Sequence, residues 1–190
     1  MKQEINQLLD WRMNPELAQL PVVSAEQQRT GMRHFASGVS VVTSRLGETR
    51  VGLTATAVCS VTVDPPRMLV LVNKKAFASE VILAGGVVCI NVLSQGQEHI
   101  ARVFAGMIEG VSGPGRFEHG HWNTLVSGAP VLKGALANFD CRVIKVFDES
   151  THHAFLCEVL ANGQNAGGEP LVYINGTFRY IAPQTDQHME

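Results

Sequence analysis

The spacing of apolar and polar positions divides this chain into a short helical lead and a long strand-rich body. Ser24 followed by Gln27 has the spacing of a capping box, and Met32, His34, Phe35 and Ala36 continue a helical reading up to Gly38, which predicts one helix over 25–36. Ahead of it, a short apolar-periodic piece around Leu8, Leu9 and Trp11 is interrupted by Pro15 and Pro21, so residues 1–23 read as an arm. From Gly38 strand signals dominate: VSVVTS, a turn at Leu46-Gly47-Glu48, then a run over 50–63 closed by Pro65-Pro66. MLVLVN at 68–73 is apolar at almost every position, the mark of a strand covered on both faces.

Residues 76–84 read as a short helix, 87–93 as a buried strand, and 95–104 as a second short helix with Ile100, Val103 and Phe104 on one side. A Gly-rich loop spans 110–120. Three long strand candidates follow at 134–147, 153–161 and 170–181, the last broken by Asn175-Gly176, a pair that tolerates the positive φ of a tight hairpin turn. Six or more strands, few helices and no alternating strand-helix rhythm predict a mainly β fold, an antiparallel barrel with short helices. It occupies residues 24–182, with 183–190 as a tail.

Composition narrows the classes. The 190 residues are 45% hydrophobic and 17% charged, as expected of one soluble globular domain with a sizeable core. With 15 basic against 17 acidic residues and a net charge of -2, no basic field exists to track a nucleic-acid backbone. The longest apolar stretch, 81–93, is interrupted by Gly85, Gly86 and Asn91 and falls short of the roughly 20 residues a membrane span needs. The N-terminus lacks the apolar block of a secretory signal, so the expected location is cytoplasmic. Cys59, Cys89, Cys141 and Cys157 lie in apolar strand-like runs without Cys-x-x-Cys spacing, which predicts buried thiols rather than disulfides or a metal centre.

The most informative segment is 52–62. Read as one strand, it puts Thr54, Thr56, Ser60 and Thr62 on one face and Ala55, Ala57, Cys59 and Val61 on the other. A row of small hydroxyls lets a flat polar ligand approach the backbone, and it equally suits an ordinary strand with one face in water. Asn73-Lys74-Lys75, at a strand end just before a helix starting near Ala76, combines two ammonium groups with free helix N–H groups and could hold a phosphate, although solvated lysines look the same in sequence. Asn91, alone inside VVCINVL, must find hydrogen-bond partners, either a ligand or neighbouring backbone. His152 and His153 begin a strand, so at most one faces a given cleft. His119 and His121 have a zinc-compatible spacing but no third ligand nearby, and no metal is expected. Rossmann, P-loop and nucleophile-elbow motifs are all missing.

Several longer strings carry a resemblance: FASGVSVVTS, GLTATAVCSVTVDPP, CINVLSQGQEHIARVFAG, APVLKGALANFDCRV, and THHAFLCEV followed by PLVYINGTF. Over roughly residues 28–182 they closely resemble the flavin reductase family that serves two-component flavin monooxygenases, with reductases of the 4-hydroxyphenylacetate 3-monooxygenase type and of pyrimidine breakdown the nearest in pattern. The resemblance implies a split β-barrel homodimer of EC class 1.5.1.- that binds FMN or FAD, takes hydride from NADH or NADPH, and supplies reduced flavin to a partner monooxygenase. It implies that Thr54, Ala55, Thr56, Ala57, Ser60, Val61 and Thr62 lie against the isoalloxazine ring and ribityl chain. Asn73, Lys74, Lys75, Ala76 and Asn91 would approach the phosphate side, with Phe104 also at the cofactor. Ala76 stands where relatives often carry Ser, leaving Lys74 or Lys75 to replace one phosphate hydrogen bond. Ser150-Thr151-His152 matches a Gly-Asp-His motif only at its histidine, so His152 is expected to position the nicotinamide and His153 to face outward. The resemblance leaves room for another class, a non-enzymatic flavin- or haem-binding barrel.

Overall fold

The computed structural model describes residues 15–165 and 167–182, in two compact units divided between Phe35 and Ala36. The first unit carries α1 (Pro15–Ala18) and α2 (Ala25–Met32). Ser24 and Gln27 form the expected capping box, Gln27 N–H donating to Ser24 Oγ at 3.2 Å and Ser24 N–H to Gln27 Oε1 at 2.9 Å. The helix stops at Met32 rather than running to 36, and His34 and Phe35 bond only three residues back, the tightened turns of a helix end. Pro15, expected as a breaker, instead heads α1, where its missing N–H costs nothing. The remainder of the expected arm before Pro15 and the whole of the tail, 183–190, lie outside the described residues.

The second unit is built from β1 (Ser37–Gly38), β2 (Ser40–Leu46), β3 (Thr49–Ala55), β4 (Val58–Thr62), β5 (Arg67–Asn73), α3 (Phe77–Gly85), β6 (Val87–Val92) and α4 (Glu98–Phe104). It continues through β7 (Trp122–Thr124), β8 (Pro130–Leu132), β9 (Ala137–Glu149), β10 (His152–Gln164), β11 (Leu171–Ile174) and β12 (Thr177–Tyr180). Short 3-10 turns at Gln95–Gln97 and Gly113–Glu118 precede α4 and β7. Seven strands form one antiparallel sheet in the order β3-β2-β6-β9-β10-β5-β4. The fold is mainly β, as expected.

The expected single strand over 50–63 is in fact two strands at opposite ends of that order. Only Thr56 and Ala57 join them, and a two-residue link spans no more than about 10 Å. The sheet must therefore curl until its two edges approach one another, which produces a barrel left open between β3 and β4. Val42, Val70, Val72, Val88, Ile90, Cys141, Phe155 and Cys157 fill its interior, and Ile82 of α3 enters the same cluster. A second core, with Val41, Leu93, Ile100, Val103 and Phe104, lies where α4 and the 3-10 turn of Gly113–Glu118 cover the outside of β2. Asn175 and Gly176 take φ of 53° and 78° between β11 and β12, the expected hairpin turn.

The other outer surface is different. Leu69 and Leu71 of β5 and Leu156 of β10 alternate with the buried interior residues, belong to no buried cluster, and are only half-buried. Phe147, paired with Ala154, is 43% exposed on the same side. The run MLVLVN is thus covered inside by the barrel core, whereas the two-sided cover its composition predicts is not supplied by the other buried clusters.

Candidate functional site

The opening between β3 and β4 gathers part of the expected site and disperses the rest. Because the strand breaks at Thr56-Ala57, the period-two alternation does not carry from β3 into β4. Thr54 faces outward beneath α4, where its hydroxyl donates to Ala101 O at 2.7 Å. Ala55 packs into the barrel core. Ser60 pairs with Met68, on the interior side of β4, and a register shift separates it from Thr62. Thr62 Oγ1 is taken by the local turn, donating to Pro65 O. The four hydroxyls therefore do not share a face. Thr56, Ala57, Ser60 and Val61 are exposed at the opening, and what they offer a ligand there is small size and main-chain edge.

Asn91 resolves toward the bridging alternative. It is fully buried, its Nδ2 donates to Val41 O at 2.9 Å, and its Oδ1 accepts from Leu132 N and from Asn138 Nδ2, both at 2.8 Å. A buried amide so engaged ties β6 to β2, β8 and β9 and has no polar atom left to present. Phe104 is likewise core, 2% exposed and in edge contact with Phe117 at 5.2 Å and tilted contact with Trp122 at 5.3 Å. Gly52 makes that packing possible, since a Cβ there would stand 2.6 Å from Phe104 Cε1.

The lysine pair also divides. Lys74 Nζ is ion-paired with Asp148 and donates to Ser150 O at 2.6 Å, which turns it away from the helix start and onto the β9–β10 hairpin. That hydrogen bond and charge hold the Asp148 carboxyl below its usual range. Lys75 is exposed, its N–H capped by Asn73 Oδ1 at 2.9 Å. Ala76 is the N-cap of α3 and supplies no side-chain cap, so the helix start is open.

Which histidine faces inward is the reverse of the expectation. His153 shares the face of Phe155, its ring 5.8 Å away, and its Nδ1 lies 2.9 Å from the buried Ser79 Oγ of α3. His152 stands on the outer side, opposite Asn73, with Nδ1 2.8 Å from Thr151 Oγ1. His119 pairs with His99, Nδ1 to Nε2 at 3.1 Å, rather than with His121. Among the cysteines, three are buried and Cys59 is exposed on β4, a correction to the expectation for all four. Desolvation pushes the buried thiols up, Cys157 to about 12 and Cys89 and Cys141 further.

A cleft of about 340 Å³ adjoins β3, lined by Arg50, Gly52, Ala76, Phe77, Pro114 and Arg116 among others. Of these, sequence reasoning names Ala76 as a site residue and Gly52 only as the start of the 52–62 segment, because Arg50 reads as the start of a strand and Arg116 as part of a Gly-rich loop. Arg116 Nη1 donates to Gly52 O at 3.3 Å, and its buried Nε has no hydrogen-bond partner among the described residues. Arg50 lies 4.9 Å over the ring of Phe117.

The flavin reductase like domain matches residues 32–182, and the chain belongs to the flavin reductase family. It is 38% identical over 169 residues to FMN reductase (NADH) RutF of Ancylobacter novellus, covering 89% of this chain and 92% of that one. The fold is similar to the NADH:FAD oxidoreductase SgcE6 of Streptomyces globisporus in complex with NAD and FAD fragments, with a TM-score of 0.78, 32% identity, and 88% of this chain against all of that one. It is also similar to BorF, the flavin reductase component of a bacterial two-component tryptophan halogenase, with a TM-score of 0.76, 31% identity, and 85% against 100% coverage.

Proposed function

We propose that this protein is an NADH-dependent flavin reductase that hands reduced flavin to a separate flavin-using oxygenase or halogenase. The observation that carries the reading is the β3 edge: small residues stand exposed at its Ala55 end, and a cleft lined by two arginines and the uncapped start of α3 adjoins its Thr49–Leu53 part. These residues fit a flavin nucleotide. Thr56, Ala57 and Ser60 leave room at main-chain level for a planar ring, and the under-satisfied Arg116 suits an anionic tail. The curated relative named as an FMN reductase (NADH) supports FMN and NADH as the pair, and the solved neighbour holding NAD and FAD fragments keeps FAD as an alternative acceptor.

Flavin, when bound, supplies the hydride-accepting chemistry. What the chain must do is orient: hold the ring flat, leave one side open to a nicotinamide, and present donors where negative charge gathers. Main-chain N–H groups around Ala55–Ala57, at the small-residue end of β3, are proposed for the last task. His152, on the outer side beside Asn73, is proposed to position the nicotinamide nucleotide, with no acid or base required. The half-covered outer face with Leu69, Leu71, Leu156 and Phe147 supports a homodimer built through it.

Steady-state oxidation of NADH by the purified chain, with no flavin, FMN, FAD or riboflavin added in turn, tests the function. NADH consumption that depends on added flavin is expected. Flavin binding without NADH turnover would instead establish a non-enzymatic flavin binder.

A further inference from the structure

The fold takes His119 away from its sequence neighbour His121 and brings it to His99 of α4, 20 positions earlier in the chain. Nε2 of His99 and Nδ1 of His119 lie 3.1 Å apart, with ring centroids at 5.1 Å and planes tilted by 57°. Imidazole nitrogens bind zinc at about 2.0–2.1 Å, so two of them on one ion, at an angle between a right angle and the tetrahedral value, stand about 2.9–3.4 Å apart. The observed separation falls inside that range. In the hydrogen-bonded pair one ring donates to the other. An ion would take both lone pairs, which asks the donor ring only to move its proton to its other nitrogen. His99 would then keep its proton on Nδ1 and His119 on Nε2, with none released by the neutral pair.

Both rings stand on fixed backbone. His99 lies between Glu98, held by Arg102 and Tyr180, and the buried Ile100. His119 N–H donates to Arg116 O at 3.3 Å, and its carbonyl accepts from Trp122 Nε1 at 2.9 Å. Gly120 behind it, at φ 86°, packs so closely that a Cβ there would stand 3.0 Å from Leu132 Cδ1. His119 is half-buried and His99 exposed, so water can reach the pair and complete a coordination sphere. No group of three or more His, Cys, Asp or Glu is gathered for a metal among the described residues, so the two imidazoles are the protein's whole contribution. Nitrogen donors of this kind select zinc, nickel or copper(II) over magnesium and calcium, which take oxygen. We propose that His99 and His119 bind one divalent ion of the zinc, nickel and copper group, and that the ion staples α4 to the 3-10 turn Gly113–Glu118. That turn supplies Gly113, Pro114 and Arg116 to the cleft, and α4 holds Thr54 of β3, so the staple stiffens one wall of the cleft. The inference is independent of the flavin reading and gives the ion no part in hydride transfer.

Calorimetric titration of the untagged full chain with nickel, zinc and magnesium chlorides tests it, in the wild type, His99→Asn, His119→Asn and His121→Asn. One equivalent of nickel or zinc should bind the wild type and His121→Asn, and magnesium should bind neither. His99→Asn and His119→Asn should each weaken nickel binding about tenfold or more, since even a partner outside the coordination sphere is worth that much. Copper(II) on the wild type should show two imidazole nitrogens by electron paramagnetic resonance, and one on either of those variants. Nickel should also slow amide hydrogen exchange over α4 and residues 113–119 in the wild type and leave it unchanged in His99→Asn. No binding by the wild type, binding that survives both His99→Asn and His119→Asn, or binding lost in His121→Asn would overturn the site. Binding with exchange unaltered would overturn the staple. Because His99 is exposed, His99→Asn decides the matter if His119→Asn fails to fold.

Discussion

Gly52 shows how one residue can serve the core and the cleft together. Its missing side chain admits the ring of Phe104, and the carbonyl of the same residue anchors Arg116. Gly52→Ala should destabilise the protein by about 1–3 kcal/mol, measured by urea unfolding, because Phe104 is locked against Phe117 and Trp122 and cannot yield. The cysteines behave as two populations. At neutral pH a thiol reagent should modify Cys59 ahead of the other three, which react only on unfolding, read as one early equivalent by mass spectrometry, and because Cys59 is the cross-strand partner of Leu69 a second copy packed on that face should slow it. The buried thiols also set an alkaline limit. Their folded pKa values are raised above the ordinary 9.0, so above that pH the unfolded chain binds fewer protons than the folded one. Stability from this source is complete below about pH 9 and falls as pH rises toward and through the folded values, by up to about 1.4 kcal/mol per pH unit for each thiol. Urea midpoints measured from about pH 8 to about pH 10.5 should show that decline, and replacing Cys157 by Ala should reduce its slope.

The β9–β10 hairpin is the element that carries His152, and its tip is clamped by Lys74 reaching from the end of β5 to Asp148 and Ser150. Lys74→Met should release the tip. The expected result is a several-fold higher KM for NADH with flavin affinity unchanged, measured by steady-state kinetics and flavin titration. An equal change in both would mean that Lys74 serves the flavin directly. Most elements were readable in the sequence: the capping box at Ser24, the helix after Ala76, and the Asn175-Gly176 turn are local features, settled by hydrogen bonds among neighbours. The break at Thr56-Ala57 was not readable. TATAVCS is acceptable as continuous strand, and only the pairing of its two halves with different partners, β2 and β5, divides it.

For the whole molecule, the decisive feature is that the two faces of MLVLVN meet different fates. Val70 and Val72 are sealed in the barrel, while Leu69 and Leu71 stand on a half-covered outer sheet. A second copy packed there would give both faces the cover that their composition predicts. Size-exclusion chromatography with light scattering should find twice the 20.6 kDa chain mass, and Leu71→Glu should shift it to the monomer with the fold retained by circular dichroism. A monomeric wild type would dismiss the dimer. By itself the sequence determined the strand content, the buried character of most of its body, the local turns and caps, and, through long matching strings, the family. Those depend on neighbouring residues and on side-chain polarity, both written along the chain. Only the tertiary structure decided that Asn91 is spent inside, that Lys74 faces a hairpin, that His153 and not His152 points inward, and that Arg50 and Arg116 share a cleft. Each of these turns on which distant segments pair, and on which side of a curled sheet a residue falls, and a one-residue change of register reverses it.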